Sequence, residues 1–280
     1  MIGKLLNYLS AYPTVRYAAL SILLISICAA LLGVCLVLKR YSMIGDGLSH
    51  VSFGATTIAA VLGLTTPIYI TLPITVISAV ILLKIRSSSR IGGDTAIAMI
   101  STAALATGYL LLNIFGSSSD AASADACATL FGSGILGIDI EDVIFCSILA
   151  AFSLAIYLLL YNKLFSVTFD ENFAAATGIK TELYNTVIAI ITAVIIVTAM
   201  KMLGALLTSA LIVFPALSSM QVFKTFKSVM MSSVVISSTG AILGIAASLI
   251  TATAIGPMIV AVELVIFIIC FAFGAIRKKI

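Results

Sequence analysis

The sequence predicts an all-α integral membrane protein, a polytopic bundle of eight or nine transmembrane helices. Of its 280 residues, 62% are hydrophobic and only 9% are charged, and the mean hydropathy is +1.27. Soluble domains carry roughly 25% charged residues, because they must cover a water-exposed surface. The composition therefore excludes a soluble enzyme, a nucleic-acid-binding protein and a disordered chain.

Long apolar runs supply the predicted spans, since a helix needs about 20 residues to cross about 30 Å of hydrocarbon. Nine runs approach that length, at residues 17–38, 44–64, 68–84, 94–115, 142–161, 183–201, 203–222, 229–250 and 257–276. The two short runs that flank Lys201 resemble one long span, so eight crossings is the alternative. We expect one transmembrane domain over residues 1–280, beginning with an amphipathic segment at 1–16.

Basic residues predict the orientation, because Lys and Arg concentrate in cytoplasmic loops. One side of the predicted bundle collects twelve of the fifteen basic residues: Lys39, Arg40, Lys84, Arg86, Arg90, Lys163, Lys180, Lys224, Lys227, Arg277, Lys278 and Lys279. That side is predicted to be cytoplasmic, which places the C-terminus inside. The N-terminus then lies outside with nine spans and inside with eight.

Two predicted connecting segments are longer than simple turns. The outer one, residues 116–141, includes an apolar stretch at 130–138 that is too short to span and is expected to be a re-entrant or surface helix. The inner one, residues 162–182, has Asp170 and Glu171 before three alanines and Gly178 after them. Carboxylates favour a helix N-terminus and glycine its C-terminal stop, so the sequence predicts a cytoplasmic helix of one or two turns.

Asp46 and His50 are the strongest candidates for a functional site. Ionisable groups within a span are costly, and these two lie four residues apart, on one face of a helix. At about 1.5 Å per residue, His50 lies roughly 15 Å beyond Arg40, near mid-bilayer. The pair predicts half of a metal site, which a second copy of the chain would complete with two more ligands. The alternative is an Asp–His hydrogen bond that only pins the helix.

Lys201 and Glu263 are weaker candidates for the transport pathway. Lys201 lies near the outer end of its run and can extend to the interface as an anchor. Glu263 lies six residues inside the last run, where it could pair with Lys201, take part in proton movement, or face a cavity. The sequence has no match to the GxxxxGK[ST] nucleotide motif, so the energy for transport must come from a partner or an ion gradient.

Four segments resemble the permease subunits of bacterial ABC importers for zinc, manganese and iron(II). Residues 39–50, KRYSMIGDGLSH, resemble the family signature R-R-x-S-x-x-G-D-x-L-S/A-H. Residues 199–216 resemble the block K-x-x-G-x-L-L … A-L-L-x-x-P-A, and residues 130–142 the L-F-G … E-D segment. Residues 169–179 resemble the cytoplasmic coupling helix that docks on the ATPase, a match carried by Asp170, Glu171, Phe173, Ala174 and Gly178.

The resemblance implies a multi-pass permease of the bacterial cytoplasmic membrane that is not itself an enzyme. Asp46 and His50 would line the path of transported Zn²⁺, Mn²⁺ or Fe²⁺, and no permanently bound cofactor is implied. The implied partners are a second permease (identical or related), two ATPase subunits and an extracytoplasmic metal-binding protein, with lipid around them and no nucleic acid. In one departure from the family, residues 251–257 lack an acidic residue, and Glu263 lies deeper instead.

Two other functions remain open on the sequence alone. A secondary carrier could use Asp46, His50 and Glu263 as a proton relay, although the inverted repeats of such carriers are not evident. A purely structural membrane subunit would use Asp46 and His50 as a packing pair. The transported metal also stays open, because an Asp/His set suits Zn²⁺, Mn²⁺ and Fe²⁺ similarly.

Overall fold

The described parts of the chain fold entirely as helices joined by short connections. A computed structural model describes residues 13–64, 66–88, 93–115, 140–251 and 253–277. The helices are α1 (Pro13–Leu38), α2 (Ile44–Val61), α3 (Ile68–Ser88), α4 (Gly93–Phe115), α5 (Ile140–Leu159), α6 (Tyr161–Phe169), α7 (Glu171–Ala176), α8 (Thr181–Leu203), α9 (Ala205–Val222), α10 (Phe226–Thr251) and α11 (Ile255–Arg277). The expected helix at 130–138 and most of the N-terminal segment 1–16 lie outside these ranges.

Each of the nine predicted runs coincides with a long helix, but the predicted count of eight or nine spans is not confirmed. Six helices in the described ranges, α1, α4 and α8 to α11, are long and apolar enough to cross a membrane. A seventh span results if α5 and α6, which meet at 72°, are counted together. In α3 the apolar part, Ile68–Leu82, is short. In α2, polar and small residues, including Asp46 and His50, lower the mean hydropathy.

The bundle is organised around α1, which packs against α5, α8, α9 and α10. Its core side chains, such as Ile25, Leu32 and Leu36, are almost completely buried among those of α8 and α9. Hydroxyl groups add interhelical hydrogen bonds, since Ser233 and Ser237 of α10 donate to backbone carbonyls of α1 at 3.3 and 3.1 Å. Apolar packing and buried hydroxyl bonds are the usual means of joining helices in a membrane.

The helix α2 lies beside this core, with α4 as its principal neighbour and α3, α8 and α9 also in contact. Close approach to α4 is possible because Gly54 has no side chain: a Cβ atom there would lie 2.7 Å from the carbonyl oxygen of Ala104. The position of α2, and of any side chain on it, is therefore set by backbone contact.

The short helix α7 confirms the expected helix in the inner connection. Asp170 caps its N-terminus, where the carboxylate accepts a 2.9 Å hydrogen bond from the amide of Phe173. At its C-terminus Gly178, with φ of +84°, allows the amides of Gly178 and Ile179 to bond carbonyls of the last turn. The preceding helix α6 was not predicted, because residues 162–168 were assigned to the connecting segment.

Candidate functional site

Asp46 and His50 project from the same face of α2, as their spacing predicts. His50 Nε2 lies 3.6 Å from Asp46 Oδ2, which is an ionic contact but too long for a hydrogen bond. Asp46 keeps 40% of its side-chain surface exposed and His50 keeps 21%. The pair is thus open on one side, where an incoming ligand can reach both groups.

The other ring nitrogen, His50 Nδ1, is buried and has no hydrogen-bond partner among the described residues. Such a nitrogen is uncommon, because buried polar atoms are normally paired. One ring nitrogen of His50 thus faces the Asp46 carboxylate, and the other has no partner among the described residues.

A small apolar cluster lies next to the Asp46–His50 pair, towards the C-terminal end of α2. Phe53, one turn beyond His50, is 2% exposed and forms a cluster with Met200 and Ala205. Leu105 and Leu112 pack against this cluster. The ring of Tyr109 lies 5.4 Å from that of Phe53, centroid to centroid. This hydrophobic cluster was missed by sequence reasoning, because its members come from four helices.

The described part of the chain offers two ligands and no more at this place. No group of three or more His, Cys, Asp or Glu side chains that could hold a metal ion occurs among the described residues. Two protein ligands alone hold a divalent ion weakly. A stable resident metal centre would need more ligands than the described residues supply.

The predicted coupling residues lie together on α7 and its two ends. Ala174 is fully buried and fixes the helix to the bundle, whereas Phe173 is 64% exposed. Phe169, at the end of α6, is also exposed. Two large aromatic side chains are thus exposed at this connection.

Lys201 and Glu263 are not brought together. Glu263 is 1% exposed, and neither of its oxygens has a hydrogen-bond partner among the described residues. It packs against Gly240 of α10, where a Cβ atom would lie only 2.9 Å from Oε1. Lys201 is exposed in the last turn of α8. The Lys201–Glu263 pair, one of the alternatives that the sequence left open, is therefore not formed.

One polar cluster close to the start of α2 was not predicted. Lys39, at the end of α1, donates a short hydrogen bond to Asn185 Oδ1 of α8 and lies 3.8 Å from the carboxylate of Glu171 on α7. Asn185 in turn donates to Glu171 at 2.7 Å. Because 146 residues separate Lys39 from Asn185, no local sequence pattern could have indicated this contact.

Comparison with known proteins gives a consistent result. A model of the ABC 3 transport family matches residues 11–274. The manganese import system permease protein ScaB of Streptococcus parasanguinis is 25% identical over 279 residues, which cover 100% of this chain and 97% of the relative. The high-affinity zinc uptake system membrane protein ZnuB of Haemophilus influenzae is 26% identical, covering 90% of this chain and 94% of the relative.

A solved structure has the same fold. PsaBC from Streptococcus pneumoniae, in complex with Fab, superposes with a TM-score of 0.84 and 26% identity, covering 97% of this chain and 95% of that one. Nearly the whole length of the chain is thus matched by its relatives, in sequence and in three dimensions.

Proposed function

Since this chain belongs to the ABC 3 transport family and is a multi-pass permease subunit rather than an enzyme, we propose that it imports a divalent transition metal. In this proposal it is the membrane subunit of an ATP-driven importer, and the ATP is hydrolysed by separate ATPase subunits. Zn²⁺, Mn²⁺ and Fe²⁺ are the candidate substrates. The relatives' names include both manganese and zinc, so they do not choose among these ions.

The observation that carries the proposal is the open Asp46–His50 pair with an unpartnered ring nitrogen. A carboxylate and an imidazole within 3.6 Å of each other provide the oxygen and nitrogen donors that borderline divalent ions accept. Both groups remain partly exposed in the isolated chain. We propose that a second copy, or a related permease, faces this side and completes a transient four-ligand set on a shared axis.

We further propose that the end of the bundle that carries α7 is cytoplasmic, together with the C-terminus. Lys39 and Lys84 form ion pairs with Glu171 and Glu182 at this end, in agreement with the positive-inside rule. An ATPase would dock on α7 through the exposed Phe173. An extracytoplasmic metal-binding protein would release the ion at the opposite end, where Lys201 is the candidate residue at the outer mouth.

In the proposed mechanism, the ion loses water at the mouth and passes the Phe53 cluster before it meets Asp46 and His50. These two groups replace part of the lost hydration, and the binding stays weak enough for release. Movement of α7 by the ATPase then opens the path on the inner side. Glu263 packs on α10 and not on α2, so we propose for it a role in gating or proton movement rather than direct contact with the ion.

Uptake of Mn²⁺ and Zn²⁺ by cells that hold the complete importer tests the proposal. We expect Asp46→Asn and His50→Gln each to lower uptake by at least about tenfold, since even the loss of a group behind a metal ligand costs that much. Thr56→Val is the matched control on α2, because its hydroxyl bonds only the carbonyl of Ser52. Full uptake by His50→Gln would overturn the proposed site. Uptake that survives inactivation of the ATPase would identify a secondary carrier instead.

A further inference from the structure

The cluster of Lys39, Glu171 and Asn185 connects the end of α1, the start of α7 and the start of α8. Lys39 directly follows the last residue of α1, Glu171 is the first residue of α7, and Asn185 lies in the second turn of α8. The Lys39 side chain is only 7% exposed. A buried ammonium group needs compensating partners, because an unpaired charge would be costly there. Asn185 and Glu171 supply them, so the position of α7 and the position of Lys39 depend on each other.

The turn after Lys39 is held at both ends by backbone hydrogen bonds. The amide of Arg40 bonds the carbonyl of Val37, and the amide of Tyr41 bonds that of Leu36. This pattern ends a helix tightly around a residue in the left-handed conformation, here Arg40 with φ of 60°. The carbonyl of Tyr41 then accepts from the amide of Ile44, the first residue of α2.

Because of these bonds, we expect the turn to move as one unit with the end of α1 and the start of α2. Tyr41 is buried in the core, so the turn is fixed by packing as well as by hydrogen bonds. Asp46 follows seven residues after Lys39, in the first turn of α2. A shift of Lys39 therefore moves the start of α2 and the carboxylate it carries, because no loose segment lies between them.

We propose that Lys39 is a positioning residue that links the coupling helix α7 to Asp46, with Glu171 and Asn185 as its two partners. The inference rests on the proposed function, in which α7 receives the movement of an ATPase. When α7 moves, Glu171 draws or releases Lys39, and the turn carries that displacement to the ligand-bearing end of α2. The ion pair thus joins the energy-supplying end of the protein to the side chains that hold the ion.

Amide hydrogen exchange of the purified permease tests the link without requiring transport. In Glu171→Gln and Lys39→Met, we expect amides of residues 40–46 to exchange about tenfold faster than in the wild type, because the turn loses one of its supports. Lys39→Arg keeps the charge and the donors and should keep the wild-type rate. Glu182→Gln is the matched control, since it removes a similar carboxylate from an exposed ion pair with Lys84 that does not reach the turn.

Mn²⁺ uptake by the complete importer tests what the link does. We expect Glu171→Gln to lower uptake at least fivefold, with Glu182→Gln close to wild type. Lower uptake with unchanged exchange at 40–46 would overturn the link, because Glu171 would then act only in docking the partner. Faster exchange with normal uptake would overturn its role in transport. A wild-type importer that takes up no metal would refute the proposed function, and the exchange result would still decide whether the link exists.

Discussion

Replacing Gly54 by alanine tests how the site-bearing helix is held. A Cβ atom at this position would lie 2.7 Å from the carbonyl oxygen of Ala104 and 3.4 Å from its carbon. Ordinary contact begins at 3.4 Å, so α2 and α4 must separate by about 0.7 Å. The Cβ position is fixed by the α2 backbone and the oxygen belongs to the α4 backbone, so rotation of a side chain cannot relieve the contact.

The expected cost follows from two opposed effects. Overpacking of this kind costs about 1–3 kcal/mol, and the better helix propensity of alanine returns up to about 1 kcal/mol. We therefore expect Gly54→Ala to lower the free energy of unfolding by about 1–2 kcal/mol. For chains of about this size, that corresponds to a melting temperature lower by about 2–8 °C.

Thermal unfolding of the purified permease in one detergent measures the effect, with Gly45→Ala as the matched control. Gly45 lies on the same helix, and the nearest atom to a Cβ there is the flexible Cδ1 of Ile212 at 3.2 Å. The same chemical change should therefore leave the melting temperature unchanged or slightly raised. Equal melting temperatures for the two variants would refute the tight backbone contact between α2 and α4.

Three further predictions concern other sites. Glu263→Gln should lower Mn²⁺ uptake several-fold without lowering the melting temperature, because neither oxygen has a described partner to lose; unchanged uptake would remove Glu263 from the pathway. Asp170→Ala should destabilise α7 by about 1 kcal/mol and speed amide exchange at 171–176 about fivefold, whereas Asp170→Asn keeps the cap. Equal amide exchange rates in the two variants would contradict the capping role. Arg40→Gly should raise the melting temperature by about 2–4 °C, because glycine adopts the left-handed conformation of this position without the strain of about 1 kcal/mol that a side chain brings. Arg40→Ala should give no such increase.

Local chemistry made much of the fold predictable. Hydropathy located all nine long helices, because a helix in a bilayer needs an apolar run wherever its neighbours lie. The cap at Asp170 and the stop at Gly178 were likewise predictable, since both act within a few residues. The helix α6 was missed because Asn162, Lys163 and Ser166 interrupt its apolar positions, which indicated a loop rather than a helix bent away from α5.

Tertiary contacts could not be predicted in the same way. The Asp46–His50 pair was found because both residues lie on one helix, so their proximity follows from the helical repeat. The Lys39 cluster joins residues far apart in the chain and has no local signature. A Lys201–Glu263 pair was considered, but α11 is apolar on nearly every face, so its sequence does not fix which way Glu263 points. In the structure this side chain faces Gly240.

The polarity of α2 sets a condition on how the chain is inserted into the bilayer. A charged residue at a helix centre costs about 2.5–3.5 kcal/mol during insertion and less towards the ends, and α2 carries Asp46 in its first turn and His50 one turn further in, on an only moderately apolar segment. The preceding α1 has a hydropathy of 2.8 and can enter lipid unaided. The helix α2 instead depends on packing against α4, its main neighbour, which follows it in the chain. The residues proposed to meet the ion thus make α2 dependent on its neighbours during biogenesis.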